Sequence, residues 1–183
     1  MGLATWLYHS CFSWRVRLAS SAELADADVI MAHEFGNQHD ISAASAAMGR
    51  SALLISRRYH KPVVLQHPLP RSVPELTPVL IIREHRVRGA YLDTEEVQGQ
   101  LAQFCRRQGW RKVILCCHPR HAWRAGQNLR RHGLVPVYAD NRHIRCDPRC
   151  SRVALRWEWL FLLREIAAKL YYFRRGFISD PPT

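Results

Sequence analysis

Short runs of consecutive apolar residues alternate along this chain with longer segments whose apolar positions recur every three or four residues. The short runs occupy 27–32, 63–66, 79–82, 113–117 and 134–138. Each reads as a strand buried on both faces, the pattern of a parallel sheet. The longer segments occupy 41–59, 94–108, 121–132 and 153–173 and read as helices. Asp40 or Ser42 caps the first and Asp93 or Thr94 the second, while Gly109 and Gly133 close the second and third. The alternation predicts an α/β fold, a Rossmann-like three-layer sandwich with a mainly parallel five-stranded sheet. One link is irregular: 69–77 holds Pro70 and Pro74, with Pro78 behind, and is too short for a full crossover helix. Residues 20–26 read as a connecting segment. The α/β domain is expected over 26–176, after an extension at 1–25 and before a loose tail at 177–183.

Composition narrows the classes. A chain of 183 residues, 48% hydrophobic, suits one domain with its own core. No stretch reaches the roughly 20 apolar residues of a membrane span. The apolar residues of 1–17 precede Arg15 and Arg17, the reverse of a secretory signal, so a cytoplasmic chain is expected. The net charge of +12 raises nucleic acid as a partner, but the basic residues are almost all arginines spread along the chain. With no helix-turn-helix, zinc-finger or aromatic RNA-binding pattern, specific nucleic-acid recognition is not expected and an anionic small molecule is.

The strand at 113–117 carries the chemistry. Pro119 stops it, and His118, His121 and Arg124 stand at the start of the next helix. In open α/β sheets ligands bind outside the carboxyl ends of the strands, where loops and helix N-termini converge. The polar loop 33–40 after the first strand, with Gly36 and Asn37, should share that crevice. Arg124 would hold an anion with paired donors and His121 would supply a proton near neutral pH. The plainer roles are a helix cap for His121 and a carboxylate partner for Arg124.

The order of these motifs resembles the YdcF-like (DUF218) family, related to the SanA and ElyC envelope proteins. Ala27-Asp28-Val29-Ile30-Met31-Ala32 resembles the family's opening strand, and Gly36 stands at the last glycine of its triplet. Glu84, Thr94 and Glu96 fit its following Glu and Thr-x-Glu-Asn element, with Val97 in place of the Asn. His121, Arg124 and Ala125 stand at its His, Arg and Ala after a strand, and Glu165 at a glutamate of its last helix. The first two glycines and a Thr-Ser pair are replaced here. The resemblance implies an anionic-ligand pocket, with S-adenosylmethionine or a nucleotide-type ligand suggested for it. It implies Gly36, Thr94 and Glu96 as ligand contacts; if the protein is a hydrolase or transferase acting on a phosphorylated substrate, Glu84 or His121 is the candidate base. Helix capping by Thr94 and a dipole role for Glu96 are the plainer alternatives.

Remaining features have two readings each. His33, His67 and His118 end three strands and could share a metal, but no carboxylate partner is set by spacing, and no metal is assigned. His143, Cys146 and Cys150 lack a second ligand pair for structural zinc. Cys116 and Cys117, adjacent on one strand, should face opposite layers as reduced core thiols; Cys117 as a nucleophile beside His121 is the rival. The segment 157–175 could lie on a membrane surface as a basic amphipathic helix, the setting of an envelope-assembly factor. The favoured reading is a helix covering a sheet face with Leu160, Leu163, Ala167 and Leu170.

Overall fold

The computed structural model describes residues 16–36 and 41–177; Cys11, Asn37 and the tail beyond 177 lie outside them. A short helix α1 (Ser21–Asp26) leads into β1 (Val29–Ala32), and α2 (Ala43–Tyr59) comes after it. Next come β2 (Val63–Gln66), a 3-10 turn at Leu69–Ser72 and β3 (Leu80–Ile82). Then α3 (Thr94–Gln108), β4 (Lys112–Cys116), α4 (Pro119–Arg131) and β5 (Val135–Tyr138) alternate. A 3-10 turn at Val153–Leu155 precedes the last helix, α5 (Glu158–Arg174). The five strands form one sheet in the order β3-β2-β1-β4-β5, and every pairing is parallel. The chain is therefore an α/β protein with a Rossmann-like layered sheet, and the order reverses between β1 and β4, the place where such sheets open a crevice.

Period-2 alternation divides the core. Val29 and Met31 of β1, Val64 of β2 and Val113 and Leu115 of β4 join Val97, Leu101 and Cys105 of α3 and Ala125 and Leu129 of α4. Ile30, Ala32, Val63, Leu65 and Ile114 join Ala52 and Leu53 of α2 and Leu69 and Val73 on the other side. Cys116 belongs to the second layer and Cys117 to the first, so the adjacent thiols do face apart. Burial pushes the Cys116 thiol up to about 12 and the Cys117 thiol higher still, which leaves both as inert core groups. Asp28 fastens the central pair at its base: its carboxylate accepts the Arg111 and Lys112 N–H groups, each at 2.7 Å.

Two expectations give way, and the short 69–77 link is as expected without a crossover helix. Residues 21–26 are helical because Ser20 and Glu23 close a capping box, the Ser20 N–H donating to Glu23 at 2.8 Å. Between β2 and β3 the chain crosses with the Leu69–Ser72 turn in place of a helix, so a short link still returns a parallel strand. The last helix begins at Glu158, and its buried residues are Phe161, Glu165, Lys169 and Tyr172. Of the face expected to cover the sheet, Leu163 is 56% exposed and Ala167 is exposed, while Leu160 and Leu170 are half-buried, so none of it reaches the core. The inward face repeats at the same helical spacing but carries a charged pair of positions, which a search for apolar stripes passes over. Among the described residues no helix is long and apolar enough to cross a membrane.

Ile30 is fully buried between layers, whereas Leu54 on α2 is 66% exposed. Ile30→Ala is expected to lower the unfolding free energy by about 2–5 kcal/mol. Leu54→Ala should change it by less than about 0.5 kcal/mol, both read by urea denaturation.

Candidate functional site

Outside the carboxyl ends of β1 and β2 lies a cavity of about 340 Å³. His33, Glu34, Phe35 and Gly36 continue from β1 on one side, and Gln66 ends β2. Thr94 opens α3, His121 and Arg124 lie on the first two turns of α4, and Phe161, Arg164, Glu165 and Tyr172 come from α5. The histidine and arginine after β4 thus share a mouth with the polar loop after β1: the His33 and His121 rings meet edge to face at 5.5 Å.

A buried ion pair forms the floor. Arg124 Nε and Nη2 donate to the two carboxylate oxygens of Glu165 at 2.9 and 2.7 Å, a paired fork in which both residues are buried. Arg124 Nη1 donates to Thr94 Oγ1 at 3.1 Å, Nη2 stands 3.1 Å from His121 Nδ1, and the guanidinium lies 4.9 Å from the centre of the Tyr172 ring. Burial opposes the charge on Glu165, but the Arg124 fork outweighs it and holds the carboxyl well below its ordinary value. The positive charge of Arg124 is answered inside the protein.

Both histidines are neutral. Burial first, and the neighbouring Arg124 charge, bring His121 down to about 4; burial first, and again the Arg124 charge, bring His33 down to about 3. His33 Nε2 lies 2.8 Å from Gln98 Nε2. Glu34 moves the other way: burial raises it to about 7 against the pull of Arg152 and Arg164. Its Oε1 is buried without a hydrogen-bond partner among the described residues. A carboxyl that titrates near neutrality with an unused oxygen in a cavity is equipped to exchange a proton with a ligand.

Helix N-termini are closed around this space. On α2, Ser42 Oγ accepts the Ser45 N–H and Asp147 accepts the Ala43 N–H at 2.7 Å. On α3, Asp93 accepts the Glu96 N–H at 2.9 Å. On α4, Pro119 has no N–H and the Arg120 N–H points to His118 Nδ1 at 3.4 Å. The Phe35 N–H is taken by Ser45 Oγ at 2.9 Å. A backbone cradle of the kind that binds phosphate is therefore already filled by side chains.

Of the residues singled out in the sequence, Gly36, Thr94, His121 and Arg124 line the cavity together. Glu96 does not: Arg86 grips it at 2.7 and 3.0 Å and Gln100 adds a third bond, a brace for the 83–100 turn. Glu84 is exposed and away from the lining. His118 is buried behind Phe35, stacked on it at 4.5 Å, and caps α4. His33, His67 and His118 form no metal-sized group among the described residues. His143 lines a different groove, beside Leu24 and Arg50. Glu34, Arg152 and Arg164, with the α3 cap Asp93, are the cavity's additional charged residues. Glu34 stood in the polar loop after β1, while the two arginines carry no sequence signal that separates them from the other basic residues.

The ion pair and the Glu34 carboxyl each generate a test. Arg124→Met leaves Glu165 buried and unpaired, and should cost about 3–5 kcal/mol in urea denaturation; adding Glu165→Leu should recover most of that loss. For Glu34 the folded pKa of about 7 lies above the unfolded value of 4.5. Its contribution to stability is full below about 4.5 and is lost as pH rises through about 7. His33 and His121, with lowered pKa values, act in the opposite direction, so the difference from Glu34→Gln isolates the carboxyl. Wild type should lose stability relative to Glu34→Gln between pH 4.5 and 7, and a constant difference would contradict the assignment. Comparison with protein-family models, curated proteins and solved structures returns no match for this chain.

Proposed function

We propose that the protein binds an anionic small molecule, carrying a phosphate or carboxylate group, in the cavity at the strand ends. The observation that carries this reading is the pair of guanidiniums at the mouth. Arg152 and Arg164 both act on the Glu34 carboxyl across the cavity; Arg152 has no carboxylate partner among the described residues, and Arg164 has a long 3.9 Å contact with Glu165, which is already forked to Arg124. Arg152 is steadied by a 2.8 Å bond to the Tyr91 hydroxyl and lies over its ring. Arg124, already forked to Glu165, orients the floor and offers His121 and Thr94 to the neutral part of a ligand. Tyr91, Tyr171 and Tyr172 add flat apolar walls suited to a ring.

The resemblance to YdcF-like proteins supports the place of this site more than its occupant. The glycine loop that would bring backbone to a phosphate is represented only by Gly36, and the neighbouring N–H of Phe35 is engaged. Side-chain guanidiniums are left to do that work, with S-adenosylmethionine and nucleotides as candidate ligands alongside sugar phosphates and dicarboxylates. A cytoplasmic setting fits the five described cysteines, all unbridged.

A second reading has its own observation, the buried unpartnered oxygen of Glu34. A hydrolase or transferase acting on the same class of molecule would use Glu34 to deliver or accept a proton, with His121 neutral beside it as a hydrogen-bond partner.

Isothermal titration of nucleotides, sugar phosphates, dicarboxylates and S-adenosylmethionine tests the first reading. One anionic member should saturate wild type and bind roughly 10- to 100-fold more weakly to Arg152→Ala and to Arg164→Ala. Equal binding by the three proteins would sink it. Turnover lost in Glu34→Gln with binding retained would establish the enzyme reading.

A further inference from the structure

Behind the wall formed by Phe35 and Phe161, three side chains from distant parts of the chain meet. His118 comes from the end of β4, Cys146 from the connection after β5, and Glu158 from the first turn of α5. Their ligand atoms lie within 4.8 Å of one another. His118 Nε2 stands 3.9 Å from Cys146 Sγ and 3.6 Å from Glu158 Oε1. Tetrahedral zinc, with bonds of about 2.1 Å to nitrogen and oxygen and about 2.3 Å to sulfur, holds its nitrogen and sulfur ligands about 3.6 Å apart and its nitrogen and oxygen ligands about 3.4 Å apart. The two distances from His118 exceed these by only 0.2–0.3 Å, and the sulfur and the carboxylate oxygen lie within 4.8 Å of each other.

The geometry points to a zinc site at His118, Cys146 and Glu158, with water in the fourth position. Thiolate, imidazole and carboxylate together suit a borderline-soft divalent ion and not calcium or magnesium. The ligands are held in place before the ion arrives. The His118 ring is fixed between Phe35, stacked at 4.5 Å, and Phe161, edge-on at 4.8 Å. Arg120 holds Glu158 Oε2 at 2.6 Å, which leaves Oε1 turned toward the site, the orienting role that outer residues play around metals. The Cys146 N–H donates to that same Oε1 at 3.1 Å and sets the distance between the two. The Glu158 side chain is about one-third exposed, so the site can be reached from solvent.

Coordination changes one bond in the group. The S–H bond of Cys146 breaks, a sulfur–zinc bond forms, and the proton leaves to water; the thiolate and the Glu158 carboxylate then face the ion together. Binding through His118 Nε2 places the ring proton on Nδ1, so the long 3.4 Å contact from the Arg120 N–H gives way.

The full chain, stripped of metal and then given one equivalent of Co²⁺ or Zn²⁺, tests the site. Wild type should bind one ion, show a thiolate-to-cobalt charge-transfer band, release one proton per ion, and bind about tenfold tighter for each pH unit gained below the thiol pKa. Cys146→Ser should lose the band. Glu158→Gln should bind at least roughly tenfold more weakly. His118→Asn keeps a capping side chain and should fold without binding; metal-free circular dichroism and melting check all three variants. The proposal fails if folded wild type takes up neither ion, or if the cobalt band survives in Cys146→Ser.

Discussion

The fork between Arg124 and Glu165 is the interaction on which the functional end of the molecule depends. It joins α4, which comes directly after the central strand β4, to α5, and both partners are almost wholly removed from water. Taking two charges out of water costs several kcal/mol for each, and only good geometry with further hydrogen bonds offsets it. Here the geometry is a paired fork, with Thr94 and Tyr172 occupying the remaining guanidinium surface. The last helix is therefore positioned by charge as well as by apolar contact.

That choice shapes both candidate sites. Because Glu165 answers Arg124, the cavity floor is close to neutral, and His121 and His33 remain uncharged beside it. The positive charge available to a ligand moves outward to Arg152 and Arg164, across from Glu34. The same placement of α5 brings Phe161 against Phe35 at 4.8 Å, closing an aromatic wall. On one side of the wall is a cavity of neutral imidazoles and a carboxyl poised near neutrality. On the other, His118 faces a thiol and an ionised carboxylate. Two histidines three residues apart thus have different surroundings, since one precedes the helix as its cap and the other sits on its first turn.

The inward charges of α5 have a counterpart outside. With Glu165 and Lys169 turned into the molecule, Trp159, Leu163, Tyr171 and Phe173 are left exposed. Lys169 is accommodated over the Trp123 ring at 4.7 Å, where a cation gains from the ring's electron-rich face. The inward face of the helix therefore mixes Phe161 and Tyr172 with a charged pair, and much of its remaining apolar surface stays outside.

Much of the fold was legible in the order of residues. The short apolar runs became the five strands, Gly109 ended its helix, and Cys116 and Cys117 separated into opposite layers, because strand burial and period-2 alternation are local properties. The crevice was legible as a place for the same reason, since the end of a strand fixes where the next few residues emerge: His121, Arg124, Thr94 and Gly36 do line one cavity. The occupancy of each group was not. Only the packed chain brings Glu165 onto Arg124 across 41 positions, Arg86 onto Glu96, and Asp147 onto the start of α2. Likewise Glu158 meets His118 and Cys146 from 40 and 12 positions away, so the carboxylate absent from every local spacing is supplied by tertiary contact alone. Sequence proximity determined which elements form; burial and long-range pairing decided which charges remain for a ligand.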